Sequence, residues 1–235
     1  MKILHLYYDL MNLYGDYANV SALCRILEKN GVEYTLDKKT LGDELTLSDY
    51  DFIYVGSGTE ENQKLALSHL NEYRSDLISY IEDGRFALFT GNSFEMLGKS
   101  ISGFLGSFKG LGIFGFTVTE QNKTRNTADA IFEADFLERP LVGFINKCSS
   151  VEEGETPLFT VKMGLPDGDG GTTEGVRKNN FFGTHLTGPV LVKNPHFLKF
   201  LAEKLTGREM DLSAFKYEAA GYEITLKKLE ERNGK

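Results

Sequence analysis

Short apolar runs alternate with amphipathic helical stretches through the first hundred residues, and few folds accommodate that order. Residues 3–8 are rich in β-formers. Residues 16–30 carry Val20, Leu23 and Leu27 at helical spacing and stop at Gly31. A short strand at 33–36 and a buried one at 52–55 come next. A long amphipathic helix is predicted over 60–82, with Leu65, Leu70, Leu77 and Ile81 near one face and Asp83-Gly84 at its end. Another strand follows at 86–89. Strands separated by helices return parallel to one another, so the pattern implies an α/β fold with a mainly parallel central sheet flanked by helices. In such sheets ligands gather beyond the carboxyl ends of the strands.

The second half reads as strands at 112–120, 130–133, 141–146, 158–162 and 180–185, with a glycine-rich, mobile loop over 164–175. Two helices close the chain. The first has Asn194 as its cap and Pro195 at its first position, and the second spans 215–232. With no internal repeat and no long linker, residues 1–235 read as a single domain.

Charge narrows the partners. Asp and Glu outnumber Lys and Arg 34 to 26, a formal charge of −8. Nucleic-acid grooves and anionic membranes select for clustered Lys and Arg, so neither is expected as a partner. No apolar run approaches the ~20 residues that span a bilayer. The residues after Tyr8 are too polar for a signal peptide, so a cytoplasmic location is expected. Cys24 and Cys148 make no framework, and His5, His69, His185 and His196 show no H-x-x-x-H pairing; neither a metal nor a cofactor is expected.

Three spellings carry little. Gly110-Leu-Gly-Ile-Phe-Gly115 matches G-x-G-x-x-G without the strand before and helix after, and reads as glycines leading into a strand. Asn19-Val-Ser21 and Asn122-Lys-Thr124 are glycosylation sequons by letter only. Asp167-Gly-Asp-Gly-Gly171 lacks the spaced Glu that closes a calcium loop.

The stretch 86–100 is more informative: a buried strand, a cramped turn with Gly91 at its tip, then a predicted helix. Small residues at such an elbow let the chain reverse sharply and aim free N–H groups above the tip. Gly56-Ser-Gly58, beyond the neighbouring strand, could add a second donor. On these residues alone an ordinary tight corner explains the stretch equally well.

Several motifs in order carry a family resemblance over nearly the whole chain. Leu6-Tyr-Tyr-Asp-Leu-Met-Asn-Leu-Tyr-Gly-Asp16 resembles the opening strand and Asn-Leu-Tyr-Gly-Asp signature of class I glutamine amidotransferases of the cobyric acid synthase branch. Gly56-Ser-Gly-Thr-Glu-Glu-Asn-Gln63 is similar to their Gly-Gly-Gly-Gln-Asp-x-x-Gln oxyanion loop, and Pro140-Leu-Val-Gly-Phe-Ile-Asn146 sits at their Gly-Phe-Glu-Asn-His. Residues 183–195 resemble Gly-Thr-Tyr-Leu-His-Gly-Pro-Leu-Leu-Pro-Lys-Asn-Pro. Within the family the chain most resembles the glutaminase subunit of lipid II isoglutaminyl synthase. The resemblance implies a flavodoxin-like three-layer fold and a role beside a Mur-ligase-like, ATP-dependent synthetase, with glutamine or a related small amino acid as ligand.

Family chemistry requires a cysteine at the elbow, a histidine as base and an oxyanion hole. Aligning Gly-Asn-Ser-Phe-Glu-Met-Leu-Gly98 with the family's Cys-Gly-Gly-Tyr-Gln-x-Leu-Gly puts Gly91 at the nucleophile position. The later motif puts Thr187 at the base position. The resemblance therefore implies lost or severely weakened glutamine hydrolysis, with Gly56, Ser57, Gly58, Asn92 and Glu95 as remaining oxyanion or substrate-binding positions. A non-catalytic binding or scaffolding subunit is the alternative. A serine-type hydrolase would pair Ser93 with His185, which shares a strand face with Thr187, although Ser93 reads rather as a helix cap. Thr90 is expected to serve local backbone groups, and nothing brings Cys148 to the elbow.

Overall fold

Alternate residues of the central strands face opposite ways, and this divides the apolar interior in two. The computed structural model describes residues 1–121, 125–152, 156–168 and 170–234; the sequon at 122–124 and Asp169 of the 167–171 run lie outside them. With strands numbered in chain order, β1 (Lys2–Leu6), β3 (Phe52–Val55) and β4 (Phe86–Thr90) form the centre of a sheet. Leu4, Leu6, Ile53, Val55, Ala87 and Phe89 meet helices α2 (Glu60–Glu72) and α3 (Arg74–Glu82) on one face. Ile3, Phe52, Tyr54 and Leu88 meet α1 (Tyr17–Lys29) and α5 (Pro195–Thr206) on the other. Each such side chain taken wholly out of water contributes roughly 1.5–3 kcal/mol, so both faces are strongly specified.

β2 (Thr35–Lys39) lies at one edge of this sheet, and β14 (Phe181–Thr184) and β13 (Val176–Lys178) at the other. The order is β13-β14-β4-β3-β1-β2, parallel throughout except for the antiparallel β13/β14 pair. The expected three-layer α/β fold is therefore present. Among the described residues two further sheets complete it. β5 (Ser100–Gly103), β6 (Gly106–Lys109), β7 (Thr117–Glu120) and β10 (Ser149–Glu152) form one. β8 (Asn126–Glu133), β9 (Leu141–Lys147), β11 (Phe159–Met163), β12 (Thr173–Glu174) and β15 (Leu186–Thr187) form the other. Between β15 and α5 lies the short helix α4 (Val190–Lys193). The last helix, α6 (Lys216–Asn233), packs Tyr222, Leu226 and Leu229 on Ile131 and Val142.

Several local expectations change. The helix predicted over 60–82 breaks at Tyr73, whose N–H turns to the Leu70 carbonyl at 3.0 Å; neither Gly nor Pro announces the break. The strand predicted over 112–120 begins only at Thr117, because Leu111, Gly112 and Ile113 donate their N–H groups to Met96, Gly98 and Leu97 instead. That glycine run thus braces the elbow from below, and Gly110 lies so close to the Gly98 carbonyl that a side chain would collide with it. Asn194 stands at the start of α5 with Pro195 first in the helix, but its side chain does not cap. It spans to β9, accepting from Val142 N–H at 2.8 Å and donating to Val142 O at 2.9 Å. The glycine-rich stretch 164–175 contains β12 and delivers two carboxylates to the interior.

Candidate functional site

Strands β3 and β4 run side by side with Val55 opposite Phe89, so the loops that leave them meet above the sheet. The β3 loop is glycine-bound for steric reasons. A side chain at Gly56 would strike Met11 O and Asp16, and one at Gly58 would strike Met11 Sδ. Thr59 then caps α2, its Oγ1 accepting from Asn62 N–H at 3.1 Å. The two N–H groups this loop offered as oxyanion donors are already engaged. Ser57 N–H donates to Asp16 Oδ2 at 2.5 Å and Gly58 N–H to Asn92 Oδ1 at 3.0 Å, while Asn92 Nδ2 returns a bond to Gly58 O at 3.0 Å. Asp16 is fully buried with its other oxygen unpartnered. Burial pushes its carboxyl up to about 7, against the opposing effect of the Ser57 N–H. With Asp16 so employed, Asn12 Oδ1 accepts from Tyr17 N–H at the start of α1.

The β4 loop keeps the shape of an elbow and not its side chain. Gly91 has φ +63°, the left-handed conformation a sharp turn requires. Ser57 stands directly opposite. A Cβ built at Gly91 would fall inside 3.0 Å of both Cβ and Oγ of Ser57. The space a nucleophile would need at 91 is filled by another residue's side chain. The turn that follows, Gly91–Leu97, is a 3-10 segment and not the α-helix expected. Ser93 caps nothing there: the single hydrogen of its buried hydroxyl is shared between Thr90 O at 2.8 Å and Val55 O at 3.1 Å, tying the two strand ends together. Thr90 Oγ1 bonds to the Tyr54 hydroxyl at 2.7 Å.

Behind the elbow lies a buried polar network that joins the candidates Glu95 and His185 to residues no motif singled out. Glu95 accepts from Gln63 Nε2 at 2.8 Å, from the Ser149 hydroxyl, and from His185 Nε2 at 2.8 Å. On the far side of the ring, His185 Nδ1 faces Asp167 Oδ1 at 3.3 Å and Glu174 Oε1 at 3.4 Å. Burial and the nearby Lys147 charge oppose protonation of His185, but the carboxylates of Asp167, Glu174 and Glu95 outweigh them and push it up to about 10. Burial opposes ionisation of Glu95, yet its bond to the His185 imidazolium holds the carboxyl below its usual range. Lys64 and Glu120 add a second buried pair at 2.5 Å.

The proposed serine and histidine are therefore committed to different partners: Ser93 to backbone carbonyls, His185 to carboxylates. Thr187 is separate again. Its hydroxyl donates to Phe144 O at 2.9 Å within the β9/β15 pair. His185 falls between β14 and β15, where the chain crosses from one sheet to another, so the shared strand face predicted for 185 and 187 does not form.

Between the elbow and this network is a cavity of about 10 Å³, lined by Tyr14, Ser57, Asn92, Glu95 and Cys148 among others. That is room for roughly one water. Cys148 thus does reach the site, a proximity that sequence spacing could not show. Its thiol donates to Glu60 Oε1 at 3.1 Å, and Glu60 also pairs with Arg125 at 2.6 Å. Burial, then the Glu60 carboxylate, push Cys148 up to about 12, so it is a neutral thiol rather than a nucleophile.

A parallel sheet with this elbow and this companion loop is the architecture of glutamine amidotransferases. Two solved structures described as glutamine amidotransferases share the overall fold. One matches at TM-score 0.57 and 17% identity, covering 87% of this chain and 99% of the other. The second, from Thermotoga maritima, matches at TM-score 0.56 and 13% identity, covering 99% and 97%. The chain belongs to the CobB/CobQ-like glutamine amidotransferase domain family, whose model matches residues 2–195. It is 30% identical to the GatD subunit of glutamine-hydrolyzing lipid II isoglutaminyl synthase of Staphylococcus aureus over 210 residues, 89% of this chain and 86% of that one. The corresponding Streptococcus pneumoniae subunit is 28% identical over 222 residues, 92% and 85% of the two chains. Among the described residues no helix is long and apolar enough to cross a membrane.

Proposed function

We propose that this chain is a glutamine amidotransferase-like subunit of the isoglutaminyl synthase type that no longer hydrolyses glutamine. One observation carries the reading: the Ser57 side chain occupies the volume a nucleophile at position 91 would need. Three others support it. Thr187, at the base position, spends its hydroxyl on a strand carbonyl. The N–H groups of Ser57 and Gly58 are satisfied by Asp16 and Asn92, leaving no preorganised hole for a developing oxyanion. The cavity at the elbow holds about one water, far short of a glutamine side chain.

These features favour a binding or scaffolding role over slow hydrolysis, with the whole chain acting as one domain in the cytoplasm. The partner would be a Mur-ligase-like, ATP-dependent synthetase, by analogy with the subunits it is similar to. Glutamine or a related amino acid would meet the Arg125–Glu60 pair, which lines the cavity wall. A Ser93/His185 hydrolase has no support, because the serine hydroxyl is held by two carbonyls. The test is ammonia release from glutamine by the purified chain, alone and with a co-purified synthetase. None above buffer is expected; catalytic release in either preparation would overturn the reading. Calorimetry with glutamine and glutamate should likewise register no heat.

A further inference from the structure

We propose that Asp167, Glu174 and His185 form a binding site for one divalent transition-metal ion of the zinc class, a site independent of the amidotransferase reading. His185 donates Nε2–H to Glu95 at 2.8 Å, which leaves Nδ1 facing Asp167 and Glu174. Neither Nδ1 nor Asp167 Oδ1 has a hydrogen-bond partner, although both are out of contact with water and His185 is 2% exposed. In the protein as it stands a single ring proton is the positive charge placed between Nδ1 and the two carboxylate oxygens in a low-dielectric interior, at 3.3 and 3.4 Å, and a divalent ion in its place would balance both carboxylates.

The geometry suits a metal. The three ligand atoms lie within 4.8 Å of one another. The two Nδ1 to oxygen distances, 3.3 and 3.4 Å, match the roughly 3.3–3.4 Å edge of a tetrahedron with bonds of about 2.0–2.1 Å. Each ligand is also oriented from behind. Glu95 holds the far nitrogen of the imidazole, the carboxylate–histidine–metal arrangement of known zinc sites. Glu174 Oε2 accepts from the Thr184 hydroxyl at 2.7 Å and its Oε1 from His185 N–H at 2.6 Å. Asp167 Oδ2 accepts from Gly175 N–H at 2.8 Å, leaving Oδ1 toward the centre. Lys147, 3.7 Å from Asp167 Oδ1, donates to Pro166 O at 2.7 Å and offsets one of the three local carboxylates. A divalent ion would neutralise the remaining two. Binding exchanges the proton on Nδ1 for the metal and releases it to solvent; a water completes the four-coordinate shell.

The experiment uses the full chain, stripped with a chelator, dialysed, and loaded with zinc or cobalt. Elemental analysis should find about one zinc per chain, and zinc should raise the melting temperature. Asp167→Asn and Glu174→Gln should abolish both effects, Cys148→Ser should leave both intact, and Glu95→Gln should weaken affinity by roughly 10–100-fold at unchanged stoichiometry. The cobalt form of the unaltered chain should show tetrahedral bands without thiolate charge transfer, a readout that survives if the variants fail to fold. Absence of stoichiometric zinc, zinc retained by Asp167→Asn, or a thiolate band placing the ion at Cys148 would each overturn the proposal.

Discussion

Replacing Gly91 with Cys should fail on its own and become tolerable once Ser57 is made Gly. The new Cβ is fixed by the backbone, so no rotamer moves it away from Ser57 Cβ and Oγ, both inside 3.0 Å. Overpacking of this kind costs ~1–3 kcal/mol, and a side chain at positive φ adds roughly 1–2 kcal/mol. Gly91→Cys alone is therefore expected to destabilise by about 2–5 kcal/mol. Ser57→Gly removes both offending atoms and leaves only its Cα, 3.3 Å from the new Cβ. In that background most of the steric cost is removed and the cost of positive φ remains. The two substitutions should couple favourably by ~1–3 kcal/mol. Urea unfolding of the four proteins measures this, provided their m-values agree, and alkylation mapped by mass spectrometry reports whether the introduced thiol is accessible. Stabilities that add within about 0.5 kcal/mol would refute the claim that Ser57 fills the nucleophile's place.

Asp16 gives a pH-dependent case. Its folded-state carboxyl is raised from 3.8 to about 7, so the folded chain binds more protons than the unfolded one between those values and loses stability as pH rises through them. Asp16→Asn keeps an acceptor for Ser57 N–H and should stabilise by roughly 1–3 kcal/mol above pH 7, with little effect near pH 4, read by denaturant unfolding across pH. Lys64→Met leaves Glu120 buried and unpaired, and should cost about 3–5 kcal/mol. Adding Glu120→Gln should recover most of it, and the same unfolding assay reads both. Cys148 should react with iodoacetamide far more slowly than a free thiol at pH 8, and Glu60→Gln should speed it by removing the adjacent carboxylate; peptide mass mapping follows the rate.

The sheet was legible because its signal is local. Phe52–Val55 and the run before Gly91 are continuous apolar stretches between turn residues, and each became a central strand. Element ends were less legible, since Tyr73 breaks a helix through a single main-chain bond and Asn194 is drawn from its capping role by Val142. The elbow could be located by sequence but not interpreted, because the residue that closes it is 34 positions earlier in the chain, on the β3 loop. The polar network was invisible for the same reason. Gln63, Glu95, Ser149, Asp167, Glu174 and His185 come from separate elements, and only the folded chain brings them together. The available signal was weak: Asp167 and Glu174 bracket a glycine-rich run that composition alone makes look idle.

Four of the substitutions that distinguish this chain from its family's motifs fall into two interlocking pairs. Where the family motif has glycine in the oxyanion loop and cysteine at the elbow, this chain has Ser57 and Gly91, and the added side chain stands where the lost one would project. Where the motifs have Gln and Tyr, it has Glu95 and His185, which bond to each other at 2.8 Å and are both 2% exposed. A buried Glu without the His, or the His without its carboxylates, would carry an uncompensated charge that costs several kcal/mol. In both pairs the second residue answers the first: Ser57 lies where a side chain at 91 would project, and Glu95 meets the His185 ring across 2.8 Å.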